Sequence, residues 1–137
     1  MSGYSQTPLI RKLGLKANSV ACILHPPANY FEALSPLPAD VEIKTALRAS
    51  LDFVHFFVST QADFKTYLIA ARDHLKPAGM IWVSWPKKAS KVSTDLDENV
   101  IRDFGLRSGL VDIKVCAVDD VWSGLKFVIP VKDRHRR

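Results

Sequence analysis

The stretch from Leu51 to Trp85 reads as strand, helix, strand, and it restricts the fold more than any other part of the chain. "LDFVHFFVST" is rich in aromatic and β-branched residues, which suits a nearly central strand covered on both faces. In "TQADFKTYLIAARDHLKPAG", Phe64, Tyr67, Leu68, Ala71 and Leu75 recur at helical spacing. Thr60 is placed to cap that helix, and Pro77 with Gly79 to stop it. "MIWVSW" follows as a further strand, ended by Pro86.

The same alternation runs through the rest. "LIRKLG" predicts a short helix stopped by Gly14, and "SVACILH" a buried strand ended by the prolines at 26 and 27. "NYFEALSPLP" allows one or two helical turns before Pro36, and "VEIKTAL" is a second strand. "DLDENVIRDFGLRSG" is a helix ended by Gly109, with Asp95 and Glu98 spaced as a capping box. "LVDIKVCAV" and "LKFVIPV" are two more strands, joined by "DDVWSG" as a hairpin or bulged connection. Such interleaving predicts an α/β domain, with about six strands in a mostly parallel sheet, helices on both faces and an antiparallel hairpin at the end. The 137 residues suit one Rossmann-like domain over 1–131, with residues 132–137 as a tail.

Charge is unevenly spread. Of 19 Lys and Arg, four (Lys132, Arg134, Arg136, Arg137) fall in the last six residues, making a basic arm on a body whose charges nearly balance. Cys22 and Cys116 lie in apolar runs and read as buried free thiols. No Cys/His spacing resembles a zinc site, so no metal is expected. No apolar span approaches membrane length, and "MSGYSQTPLI" lacks the basic-then-apolar pattern of a secretory signal, so the expected location is cytoplasmic and off the membrane.

Three stretches carry a resemblance to the class I methyltransferase fold: "LDFVHFFV", "HLKPAGMIWVS" and "GLVDIKVCAVDDVWSGLKFVIP". By that comparison one helix–strand unit is missing between residues 46 and 51, leaving a truncated sheet. Through "WVSWPKKASKV", "TDL" and "DDVWSGLKFV" the chain also resembles a small bacterial family of unknown function. The resemblance implies a glycine-rich turn after the first strand, where backbone approaches the cofactor, and an acidic residue after the second, on the ribose. The matching "HPPANY" (His25 to Tyr30) has no glycine, and "VEIKTA" offers Lys44 and Thr45, with Glu42 two residues early. No cofactor is therefore expected, with S-adenosylmethionine the disfavoured alternative.

Lys87, Lys88 and Lys91 follow a strand and precede a helix, at the edge where open α/β sheets take ligands. With Ser90, Ser93 and Thr94 as hydroxyl donors, they make a candidate site for a phosphate or another anionic small molecule. Trp82 and Trp85 should face opposite sides; Trp82 reads as core, and Trp85 as core or as a stacking surface. Asp119, Asp120, Trp122 and Ser123 form a secondary candidate group, with the aspartates facing the lysines or capping a turn. His25, ending the first strand, is the candidate general base; mid-strand His55 reads as a hydrogen-bonded interior group. The leading expectation is a non-catalytic anion-binding domain using Lys87, Lys88 and Lys91. The alternatives are a divergent methyltransferase and a weak nucleic-acid binder using the loop, Trp85 and "KDRHRR".

Overall fold

A computed structural model describes residues 7–136. Residues 1–6, part of the stretch read for a secretory signal, and Arg137 of the basic arm lie outside them. Helix α1 (Leu9–Leu13) is followed by β1 (Val20–Leu24), α2 (Tyr30–Leu34), β2 (Glu42–Lys44) and β3 (Leu51–Phe57). Next come α3 (Gln61–His74), β4 (Leu75–Pro86), α4 (Glu98–Arg107), β5 (Val111–Ala117) and β6 (Trp122–Val128). The six strands form one sheet in the order β2-β1-β3-β4-β6-β5. β1, β2, β3 and β4 pair in parallel, while β6 runs antiparallel to both β4 and β5.

This is the predicted α/β architecture, with one refinement. The terminal strand β6 is inserted between β4 and β5, so β5 is the sheet edge. Running opposite to β6, it shares the direction of β4. That edge is interrupted by a register shift between Asp112 and Lys114, a bulge that discourages edge-to-edge pairing.

Both sheet faces are covered. On one, Phe64, Leu68 and Ala71 of α3 and Ile101 of α4 pack against Val54, Phe56, Ile81, Val83, Trp85, Leu125 and Phe127. On the other, Leu9 and Leu13 of α1 with Tyr30 and Leu34 of α2 pack against Ala21, Ile23, Phe53, Phe57 and Trp82. Trp82 and Trp85 thus face opposite ways, as their spacing requires. The Trp82 indole N–H also donates to the Leu13 carbonyl at 2.8 Å, tying α1 to the sheet.

Cys22 is a buried free thiol, pushed up to about 11 by desolvation, whereas Cys116 is only partly covered. Two boundaries differ from those read in the sequence. β4 begins at Leu75, so Pro77 and Gly79 lie in its irregular lead-in; between Leu51/Leu75 and Phe53/Met80 the β3–β4 register slips. The cap of α4 is Asp97, whose carboxylate accepts the Val100 N–H at 2.8 Å. Asp95 instead accepts the Gln61 N–H at 2.7 Å, in the first turn of α3, while the Gln61 side chain donates to the Asp95 carbonyl. Thr60 caps α3 as predicted.

Candidate functional site

The parallel strands β1 to β4 end on one edge, at Leu24, Lys44, Phe57 and Pro86, and the loop from Val118 to Val121 joins them there. The Lys87 N–H donates to the Val121 carbonyl at 2.7 Å, fastening that loop beside the end of β4.

The lysine loop is more ordered than its composition suggests. Residues Lys88–Ser90 make a 3-10 turn closed by Lys91 in the left-handed conformation, φ 62°. Trp85, Lys88, Lys91, Thr94, Asp95 and Asp97 line a cleft of about 550 Å³. Lys87 is not among the lining residues, and neither is His25. The hydroxyls are largely committed to the loop itself. Ser90 donates to the Lys87 carbonyl at 2.6 Å and accepts from the Val92 N–H. Thr94 donates to the Ser59 carbonyl at 2.6 Å and accepts from the Leu96 N–H. Trp85 borders the cleft but is only 6% exposed, with most of its ring in the core.

Asp119 does not face Lys88 or Lys91 as an ion pair. Its carboxylate accepts the N–H groups of Val121 and Trp122, both at 2.8 Å, and so closes its own turn. Asp120 is exposed on the same turn, and Ser123 pairs with Trp85 in the β4–β6 ladder. Trp122 packs edge-on against Phe57, with ring centroids 5.2 Å apart.

His25 sits just past β1 with φ 56°, in the left-handed region that few residues other than glycine enter. Its Nε2 lies 2.8 Å from the Tyr67 hydroxyl, and the two rings are 5.5 Å apart, so the imidazole is held against α3. The following Pro26–Asn29 segment leads into α2, where the Asn29 amide makes no capping bond. Within β2, Lys44 pairs with Glu42 at 2.9 Å, leaving the exposed Thr45 just beyond it as the next polar side chain at that edge.

Sequence reasoning did not foresee a buried polar chain behind this edge. Tyr30 of α2 bonds through its hydroxyl to His55 Nδ1 at 2.8 Å, and His55 Nε2 meets the Ser84 hydroxyl at 2.7 Å. His55 and Ser84 are fully buried, and Tyr30 nearly so. Burial pushes His55 down to about 3 and raises Tyr30 strongly, so both are neutral. Interior placement of His55 was legible; its two partners were not.

No family model matches the chain, and no curated protein sequence matches it. Solved structures do. DhpI in its SAH complex superposes with a TM-score of 0.60 at 13% identity, covering 88% of this chain and 81% of that one. Magnesium protoporphyrin IX methyltransferase from Synechocystis PCC 6803 with bound SAH gives 0.59 at 9% identity, over 89% and 78%. An S-adenosylmethionine-dependent methyltransferase from Clostridium acetobutylicum gives 0.54 at 10% identity, over 86% and 85%. The fold is that of the class I methyltransferases. Relative to its usual strand order this chain lacks one strand beyond β2, matching the gap read between residues 46 and 51.

These neighbours overturn the expectation of a non-catalytic anion-binding domain that takes no cofactor, since two of the three named are methyltransferases and two hold SAH. Missing glycines counted against a cofactor, but the left-handed backbone that a glycine would permit after β1 is present without one, at His25 with φ 56°, while Pro26 and Pro27 still offer no N–H.

Proposed function

We propose that the chain is a divergent S-adenosylmethionine-dependent methyltransferase, with its cofactor at the edge where β1, β2 and β3 end. The observation carrying this reading is His25 at φ 56° directly after β1, in a fold whose solved neighbours hold SAH at low sequence identity. Whether the residues fit the group turns on that position. A glycine there gives a left-handed turn with nothing above it. His25 makes the same turn, and its ring is drawn aside to Tyr67. The exposed Thr45 hydroxyl follows β2, where the resemblance implies an acidic residue, and the Asn29 amide makes no cap bond; on this reading these neutral groups would meet the ribose hydroxyls. Amide and hydroxyl would then replace charge, in a turn where Pro26 and Pro27 offer no N–H.

When bound, S-adenosylmethionine supplies a methyl group activated by its sulfonium. The chain's part is to hold, orient and take up a proton. If Nε2–H of His25 donates to the Tyr67 oxygen, Nδ1 keeps a lone pair and accepts the proton released by an attacking nucleophile. The buried Tyr30–His55–Ser84 chain fixes α2 to β3 and β4, and so fixes the far end of the turn that starts at His25. With every member satisfied, it favours a single arrangement.

Calorimetric titration of the chain with SAH and with S-adenosylmethionine tests the reading. One-site binding is expected, accompanied by an upward thermal shift. An absence of both heat and thermal shift at millimolar cofactor would overturn it.

A further inference from the structure

A second cationic surface lies on the sheet face covered by α1, away from the loop at 87–91. Lys114 of β5 and Lys126 of β6 are directly opposite in the antiparallel register, and Lys126 is opposite Trp82 of the core on that face. Like charges so placed repel. Lys12 of α1 reaches over β5, its Nζ donating to the Ala117 carbonyl at 3.2 Å. Lys114 reaches back, its Nζ donating to the Lys12 carbonyl at 3.1 Å. Lys16 follows α1 and adds to the field: burial first, then Lys114 and Lys16, push the half-buried Lys126 ammonium below its ordinary value.

Among the described residues none of these four lysines makes an ion pair with a carboxylate. Nearby acids are committed elsewhere. Asp52 serves the Val20 N–H and Lys76, Asp112 serves Arg102, and Asp119 closes its own turn. The arrangement therefore gathers four cations, of which Lys126 is partly desolvated, and none of them is ion-paired among the described residues.

We propose that Lys12, Lys16, Lys114 and Lys126 form a docking strip for the phosphodiester backbone of a nucleic acid. The strip's shape selects this occupant over a small anion. Lys114 stands exposed on the edge strand β5 and Lys12 and Lys126 are only partly covered, so a lone phosphate there would stay largely solvated and be held weakly. A polyanion gains at every contact by releasing its condensed counterions, and needs only charge in a row. Two of the ammonium groups already spend a donor on a carbonyl, so they offer field more than directed bonds, which suits backbone and not base recognition. The strip is independent of whether the cofactor reading holds.

The test is anisotropy of a fluorescein-labelled oligouridine against the full chain, titrated over a salt series. Four contacts predict a log–log salt slope of about −3 for a single strand. Lys114→Gln with Lys126→Gln should make that slope shallower by about 1.4, with at least roughly tenfold weaker binding at low salt. The double variant should fold as well as the parent or better, because repulsion is removed. Lys65→Gln with Arg107→Gln removes the same formal charge elsewhere and should leave the slope in place. Lack of binding at low salt, an equal loss in both double variants, or binding to phosphatidylserine vesicles but not to the strand would each overturn the assignment.

Discussion

The His25 imidazole is bonded to the Tyr67 hydroxyl at 2.8 Å, joining the turn after β1 to the helix that follows β3. That contact sets what the turn can tolerate. The left-handed backbone of His25 costs an ordinary residue about 1–2 kcal/mol, and a β-branched one more. His25→Gly removes that cost and loses one exposed hydrogen bond, so its stability in a urea melt should lie within about 1 kcal/mol of the parent. His25→Val keeps the cost and also loses the bond, and should fall by about 2 kcal/mol or more. Equal stability of the two variants would show that the turn is not held in the left-handed region.

His55 makes the fold acid-sensitive in a defined window. Its imidazole sits near 3 when folded and near 6.5 when unfolded. Between those values the unfolded chain binds one more proton, so stability falls as pH drops, by about 1.4 kcal/mol per unit, beginning near 6.5. Above that pH the contribution is flat. Denaturant melts from pH 7.5 to 4.5 should show the slope, and His55→Asn, though less stable throughout, should have a shallower one. A parent whose stability is level across that range would count against a neutral, buried His55.

Asp95 shows what local pattern reading misses. Its carboxylate caps the first turn of α3 through Gln61, a partner 34 residues away. Asp95→Ala should therefore cost about 1 kcal/mol, and Asp95→Asn, which keeps an acceptor, distinctly less. Hydrogen exchange should place the loss in the first turn of α3 and not in α4. Protection lost only in α4 would restore the capping box suggested by Glu98.

The contrast explains how much was legible. β3, α3 and β4 follow from periodicity because their burial is dictated by neighbours in sequence, and their alternation implies a mostly parallel sheet but not the insertion of β6 between β4 and β5. The Asp95–Gln61 bond, the bonds from His55 to Tyr30 and Ser84, and the opposition of Lys114 and Lys126 all join separate segments, so no local pattern encodes them, whereas the Asp97 cap on Val100 is local and was read two residues early. The His25 turn is an intermediate case. Histidine enters the left-handed region more often than most residues, which was a usable signal, but the proline after it ordinarily biases a residue toward extended backbone and pointed the other way. A rule written in glycines passes over it.

Gly105 gives the sharpest packing prediction. It lies in α4, where alanine would ordinarily gain up to about 1 kcal/mol of helix propensity. A Cβ at this position, however, would enter the ring of Phe127, which is fully buried in the core beneath α3 and α4. Overpacking of that kind costs about 1–3 kcal/mol and outweighs the propensity gain. Gly105→Ala should thus lower Tm by several degrees, where an exposed helical glycine would show a rise. Phe127→Leu alone should also destabilise, by opening space in the core. Combined, the two changes should cost clearly less than their sum, because the new methyl fills room that the smaller side chain vacates. Strict additivity would mean that α4 moves outward to accommodate the methyl, and that the close approach of helix to sheet is not what fixes glycine at 105.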